Sequence, residues 1–228
     1  MSLWIKICAN TSLEDASLAV DAGADAVGFV FAPSPRRVTR EQVAAIAPLL
    51  SPAAEKIGVF VDAGLEEIEQ TVSASGLTGV QLHSAAGPDL PSRLRSRFGP
   101  EFRILRVVHF GPGATEEAAT LTQDANVDAI LVDSRTATAV GGTGIAFDWQ
   151  KARASVFQNA ESRHGPMVVA GGLTPANISE AIATLKPWGV DVVTGVEATP
   201  GKKDPAKVRE FIVRARAALL YQQKEAQI

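Results

Sequence analysis

Cysteine occurs once in the 228 residues, at Cys8, so no internal disulfide can form, and the three histidines do not join it in the spacing of a structural zinc site. A fold held without such cross-links suits a reducing cytoplasm. Positive charge is not in excess: 22 Lys and Arg stand against 25 Asp and Glu, a net charge of −3, which provides no field for a phosphate backbone. Nucleic acid is therefore not expected as a partner. Long apolar runs are also missing. Charge-free stretches such as 164–179 are broken by Gly and Pro, far from the roughly 20 continuous apolar residues of a membrane span. The start, Met1 to Lys6, offers too few apolar residues for a signal segment, so no export signal and no membrane partner are expected.

What remains is a chain that is 46% hydrophobic and 21% charged, enough to fill a sizeable core and to exclude disorder as the main state. No Pro/Ser-rich linker or composition break divides it. The reading is one domain over residues 1–220, with 221–228 as a polar, frayed tail.

Short runs rich in Val, Ile and Phe alternate with Ala/Leu/Glu/Arg segments of helical spacing. Strands are expected near Trp4–Cys8, Ala26–Phe31, Lys56–Asp62, Gly79–His83, Phe102–Val108, Ala129–Asp133, Pro166–Ala170 and Val190–Thr194. A helix is expected after each, near Ser12–Ala22, Thr39–Leu49, Leu65–Ser75, Pro88–Phe98, Thr115–Gln123, Asp148–Gln158, Pro175–Leu185 and Pro205–Leu219. The strands read as continuous apolar runs, as a sheet covered on both faces requires, and strand–helix alternation implies parallel pairing. The fold class is α/β, a single (β/α)8 barrel of the TIM type, with a doubly wound open sheet as the alternative.

In such a barrel chemistry belongs to the carboxyl ends of the strands and the loops that follow. Strand 1 closes with Cys8 and strand 6 with Asp133, a carboxylate at the end of an apolar run. A free thiol has a pKa of about 8.5, and a neighbouring cation such as Lys6, on the same side of the strand, raises its thiolate fraction. Each of these residues also has a plain structural reading: Cys8 as a small buried hydrophobe, Lys6 as a packing or solvated lysine, Asp133 as a loop hydrogen-bonding group. Glycine loops follow strands 6, 7 and 8: Gly141-Gly142-Thr143-Gly144, Gly171-Gly172 and Thr194-Gly195. Thr174, as N-cap, and Pro175, as first helical residue, mark a helix start aimed at the same space. Backbone amides in such loops and at helix starts attract anions, so a phosphorylated small molecule is the expected ligand. The loop after strand 2 carries Arg36 and Arg37, stiffened by Pro33 and Pro35. A guanidinium fork suits a planar carboxylate, but spacing does not choose between the two. His83 reads as a hydrogen-bonded wall residue or, less simply, a proton shuttle.

Taken in order, Lys6-Ile7-Cys8, Gly28-Phe29-Val30-Phe31 with Ser34-Pro35-Arg36, Gly58-Val59-Phe60-Val61, Gln81-Leu82-His83, Val132-Asp133-Ser134, Gly141-Gly142-Thr143-Gly144, Ala170-Gly171-Gly172-Leu173 and Thr194-Gly195-Val196-Glu197 resemble the phosphoribosylanthranilate isomerase family of tryptophan biosynthesis. The resemblance runs from Lys6 to about Phe211. It implies an Amadori rearrangement without cofactor, with Asp133 as general acid and Cys8 as general base. It further implies Arg36 at the anthranilate carboxylate, Asp191 at the anthranilate amine, and Gly142, Gly171, Gly172, Thr194 and Gly195 around the phosphate. Two departures stand out. Ala9 and Asn10 follow the cysteine where the family usually has Gly, and His83 leads into Ser84-Ala85-Ala86.

The competing readings are another phosphate-binding barrel enzyme, such as indole-glycerol-phosphate synthase or a sugar-phosphate epimerase, and a non-catalytic phosphosugar-binding protein. The former two need additional strand-end Lys and Glu, or a metal-binding His/Asp cluster, and His83, His109 and His164 do not read as one. The related histidine-pathway aminoaldose is a second candidate substrate, but it carries two phosphates where this chain offers one cradle and an arginine. Apolar helix faces serve core and interface alike, so monomer and homodimer both fit.

Overall fold

In the computed structural model, which describes residues 2–83, 87–134, 148–158 and 166–225, eight parallel strands close into one barrel. They are β1 Trp4–Ile7, β2 Ala26–Val30, β3 Glu55–Phe60, β4 Gly79–Leu82, β5 Arg103–His109, β6 Ala129–Asp133, β7 Met167–Ala170 and β8 Gly189–Val192. Each pairs with the next, and β8 returns to β1 with Lys6 opposite Asp191. The helices are α1 Leu13–Asp21, α2 Arg40–Ile46, α3 Leu65–Ser75, α4 Leu90–Phe98, α5 Ala114–Leu121, α6 Trp149–Ala154, α7 Ile178–Leu185 and α8 Pro205–Glu225. Between β8 and α8 lies a short antiparallel pair, β9 Glu197–Thr199 and β10 Lys202–Lys203, turning at Pro200-Gly201.

Alternation along each strand sorts the apolar residues into two layers. Trp4, Ala26, Ile57, Leu105, Val107, Leu131 and Val168 fill the barrel. Ile5, Ile7, Val27, Phe29, Ile104, Val108, Val132 and Val190 point outward beneath helix residues such as Val43, Ile68, Leu94, Ile182 and Phe211. Both faces are thus dry, which is why the strands show no polar alternation in sequence. Trp4 and Trp188 stack at 5.3 Å between ring centroids and close the amino-terminal floor, where Gly189 gives the Trp4 ring its space.

Local chemistry sets the helix ends. Ser12 accepts from the Asp15 N–H at the start of α1, and Thr39 and Gln42 form a reciprocal capping box on α2. Among the helix ends that differ from the sequence expectation, three have a visible cause or consequence. α6 stops at Ala154 instead of Gln158, because the chain swings inward to bury Phe157 completely and the Phe157 N–H bonds back to Ala152. α7 starts at Ile178: Pro175 lies in a turn, and Thr174 does not cap with its side chain. Its N–H instead donates to Asn177 Oδ1 at 2.8 Å. α8 runs on to Glu225, into the segment expected as a tail.

The amino-terminal face carries structural ion pairs, Arg103–Glu55, Arg95–Asp128 and Arg216–Asp25, each with a nearest N···O distance of 2.8 Å. Arg95 also donates to the carbonyls of Gly99, Pro100, Phe102 and Asn126, stitching α4 to the starts of β5 and β6. The opposite rim is left for chemistry.

Candidate active site

Cys8 stands one residue beyond β1, and alternation from Trp4 and Lys6 turns it inward. Its N–H donates to the Val192 carbonyl at 2.9 Å, tying the residue to β8. Asp133 ends β6 on the inner face shared by Ala129 and Leu131. Counted round the rim, two strands, β8 and β7, separate them, and both residues are nearly sealed, 3% and 5% exposed. The glycine of β2 makes room for the first of them: a Cβ on Gly28 would lie 3.0 Å from Lys6 Cε and closer still to the Cys8 sulfur. The chain then leaves the barrel through Ala9 at φ 62°, a left-handed conformation in which glycine is the easier residue. Asn10 braces this turn, donating from Nδ2 to the Ile7 and Gly28 carbonyls at 2.8 and 3.2 Å.

Beneath Cys8 lies a buried charge network. Lys6 is fully enclosed, and its Nζ donates to Gln81 Oε1 at 2.7 Å and to Asp191 Oδ1 at 2.9 Å. Asp191, expected at the substrate amine, thus already holds a protein partner. Lys203 of β10 comes from the other side, donating to the Cys8 carbonyl at 2.6 Å and lying 3.5 Å from Glu197 Oε1. Glu197 in turn takes the side of the Arg36 guanidinium, Nε at 2.8 Å and Nη2 at 2.7 Å. Arg36, not the exposed Arg37, is therefore drawn to the rim, and among the described residues the rest of its guanidinium carries no hydrogen bond.

These contacts shape the ionisation. Burial pushes the Cys8 thiol up, Asp191 adds to that, and Lys6 and Lys203 oppose it. The pull of Lys6 has the expected sign, but desolvation outweighs it. Burial also works against the Lys6 charge, yet Asp191 and Cys8 together hold it above the ordinary lysine range. Lys203 is lowered, chiefly by burial. Glu197 is opposed by burial but held below the usual carboxylate range by Arg36 and Lys203, and Arg36 is raised by its hydrogen bonds to Glu197.

The loop after β7 closes on Asp133, and the loop after β8 packs against the loop after β7. Gly171 and Gly172 both take positive φ, 82° and 66°. A Cβ on Gly171 would fall 2.6 Å from Asp133 Oδ1, and one on Gly195 would run into the Leu173 carbonyl, so each glycine marks a close backbone approach. Asn177 fixes the first loop by donating to the Gly172 carbonyl at 2.9 Å, and Thr194 opens a single 3₁₀ turn, Thr194–Val196. Gly142 and the rest of its loop lie outside the described residues. Among those described, no group of three or more His, Cys, Asp or Glu is placed to hold a metal ion, and no helix is long and apolar enough to cross a membrane.

A family model described as N-(5'-phosphoribosyl)anthranilate (PRA) isomerase matches residues 5–214. The chain belongs to this isomerase family. A relative named N-(5'-phosphoribosyl)anthranilate isomerase from Pelobacter propionicus is 45% identical over 209 residues, covering 91% of this chain and 93% of its own. The crystal structure of the isomerase from Thermotoga maritima superposes with a TM-score of 0.83 at 35% identity, covering 94% of this chain and 99% of that one. A phosphoribosylanthranilate isomerase solved with reduced 1-(o-carboxyphenylamino)-1-deoxyribulose 5-phosphate follows at 0.80 and 34%, with the same coverage.

Several residues of the site had no role in the sequence reading. Glu197 and Lys203 meet Arg36 and Cys8 only through the β9–β10 pair, for which the Pro200-Gly201 turn signal was the visible trace. Gln81 is disclosed by its inward register alone. His109 sits opposite Asp133 across the β5–β6 pairing, its ring 5.8 Å from that of His83 and its Nδ1 buried without a hydrogen-bond partner among the described residues.

Proposed function

We infer that the protein catalyses the Amadori rearrangement of N-(5-phosphoribosyl)anthranilate to 1-(o-carboxyphenylamino)-1-deoxyribulose 5-phosphate, with Asp133 as acid and Cys8 as base. The observation that carries the assignment is two titratable side chains, both inward on one rim with β7 and β8 between them, beside a glycine loop that brings backbone close to Asp133. Asp133 in its acid form donates to the furanose ring oxygen. The C1–O bond opens as the nitrogen lone pair forms an iminium ion. The Cys8 thiolate then removes the C2 proton, and the C–H electron pair becomes the C1–C2 double bond of an enolamine. Tautomerisation returns a proton to C1 and releases the enol proton, and passage of one proton from Cys8 to Asp133 by way of solvent restores both groups. An acid and a base held on separate strands bracket the sugar without neutralising each other.

Arg36 offers its free edge to the anthranilate carboxylate, with Asp191 beside the amine. Gly142, Gly171, Gly172, Thr194 and Gly195 form the phosphate cradle. The catalytic unit is residues 1–220, with 221–228 outside it. The buried, unpaired Cys8 suits a cytoplasmic enzyme, acting as monomer or homodimer, which sedimentation would decide. Added to enzymatically generated phosphoribosylanthranilate, the protein should speed the loss of substrate fluorescence; decay at the buffer rate would refute the assignment. Comparing turnover of the histidine-pathway aminoaldose tests the substrate choice.

A further inference from the structure

The buried network below Cys8 contains a group that the steps above leave unused. Lys6 has three ammonium protons: two neighbours that take them are Gln81 on β4 and Asp191 on β8, and the Cys8 side chain lies two residues along β1 on the same face of the strand. Both Lys6 and Cys8 lie over Gly28, where no side chain keeps them apart. A buried ammonium is tolerated only when its protons are taken and its charge is matched, and a lysine paired with one carboxylate adds little that an apolar residue of equal volume would not. What this lysine adds is a cation shared between a fixed anion and a second acid that must become one.

We propose that Lys6 is a positioning residue for Cys8: held on station by Asp191 and Gln81, its ammonium stabilises the thiolate that takes the carbon-bound proton. The proposal rests on the assignment of Cys8 as base. Lys6 keeps its own protons throughout; the proton leaves C2 for sulfur while the C–H pair stays with substrate. The other charged or titratable groups facing the thiol are otherwise engaged. Lys203 is bound to the Cys8 carbonyl and near Glu197, Arg36 is held by Glu197, and His83 stands beyond Gln81, 3.5 Å from its Nε2.

Cys8 is the sole cysteine, so a ¹³Cβ-cysteine label gives one NMR signal whose pH midpoint reports its ionisation. In Lys6→Met the midpoint should rise by about 1 to 3 pH units, the effect of losing an adjacent opposite charge. kcat at neutral pH should fall by about tenfold or more and recover as the pH is raised, since each unit is a factor of ten. In Asp191→Asn, which removes the competing anion, the midpoint should fall. A purely space-filling Lys6 would let both variants loosen, and both midpoints would then drop toward the solution value of about 8.5. An unchanged or lowered midpoint in Lys6→Met overturns the proposal. If that variant does not fold, Lys6→Gln, which keeps a hydrogen-bonding side chain and loses the charge, decides: a raised midpoint supports the proposal, an unchanged or lowered one overturns it. Because the titration reads sulfur and not turnover, an unreactive wild type would sink the isomerase assignment and leave the titration to judge Lys6.

Discussion

Replacing Gly171 with alanine puts one methyl group where the rim has no space for it. At φ 82° an L-residue carries about 1 to 2 kcal/mol of backbone strain, and the new carbon would stand 2.6 Å from Asp133 Oδ1 and nearer still to the Ser134 hydroxyl. Comfortable heavy-atom contact begins at about 3.5 Å, so roughly 1 Å of displacement must be absorbed by Asp133, Ser134 and the loop. A misplacement of about 1 Å in a reacting group removes about 10² in rate. Gly113, at the start of α5, is a matched control: its φ is also 82°, and nothing lies within 4 Å of a Cβ built there. Gly113→Ala should lose about 1 to 2 kcal/mol, which for a chain of this length lowers Tm by about 2 to 8 °C, and Gly171→Ala should lose about 1 to 3 kcal/mol more from the forced contacts. Only Gly171→Ala should lose turnover, about a hundredfold in the fluorescence assay. A kcat within twofold of wild type in Gly171→Ala, or an equal loss in Gly113→Ala, would show that the close approach to Asp133 does not matter.

Cys8→Ser and Asp133→Asn should each lower kcat by about 10² to 10⁴, the usual contribution of general acid or base catalysis, with KM little changed; near-wild-type turnover in either would remove that residue from the mechanism. Glu197→Gln should loosen Arg36 and raise KM by about tenfold more than it lowers kcat, because charge-assisted paired hydrogen bonds are about twice as strong as neutral ones and fix the guanidinium. The same variant tests linkage. Glu197 is held below its ordinary value near 4.5, so its stabilisation is complete above that value and disappears as the pH falls through the lower folded-state value. Wild-type Tm should therefore drop more steeply than that of Glu197→Gln as the pH is taken below 4.5, and parallel curves would contradict it. On the opposite face, Arg95→Ala strips donors from four carbonyls and from Asp128. It should cost about 2 to 3 kcal/mol, about 4 to 12 °C in Tm, while leaving kcat alone; a turnover defect would mean the two ends of the barrel are coupled.

Why some of this was readable from sequence and some was not follows from what a strand's pattern encodes. A barrel strand is dry on both faces, so its run of Val, Ile and Leu shows that it is there, and a polar residue closing the run, Cys8 or Asp133, shows at which end the lining changes character. The glycine loops are visible for a similar reason, since close backbone approach has few residue solutions. Arg36 and Arg37 could not be told apart, because a loop has no period that points one side chain inward; the choice is made by Glu197, 161 residues further on. α7 was placed too early because Thr174-Pro175 looks like a helix start, while the group that arranges the turn is the Asn177 carboxamide reaching back to Thr174 and Gly172. Lys6 is the sharpest case. Its partners lie 75 and 185 residues away, and only the return of β8 to β1 makes Asp191 its neighbour. A strand therefore announces which of its residues face the cavity but not what faces them. In a closed barrel the charge on each inward group is decided by strands that pattern alone does not join, so Lys6, Cys8 and Asp133 were legible as inward groups while the pairing of Lys6 with Asp191 and Gln81 was not.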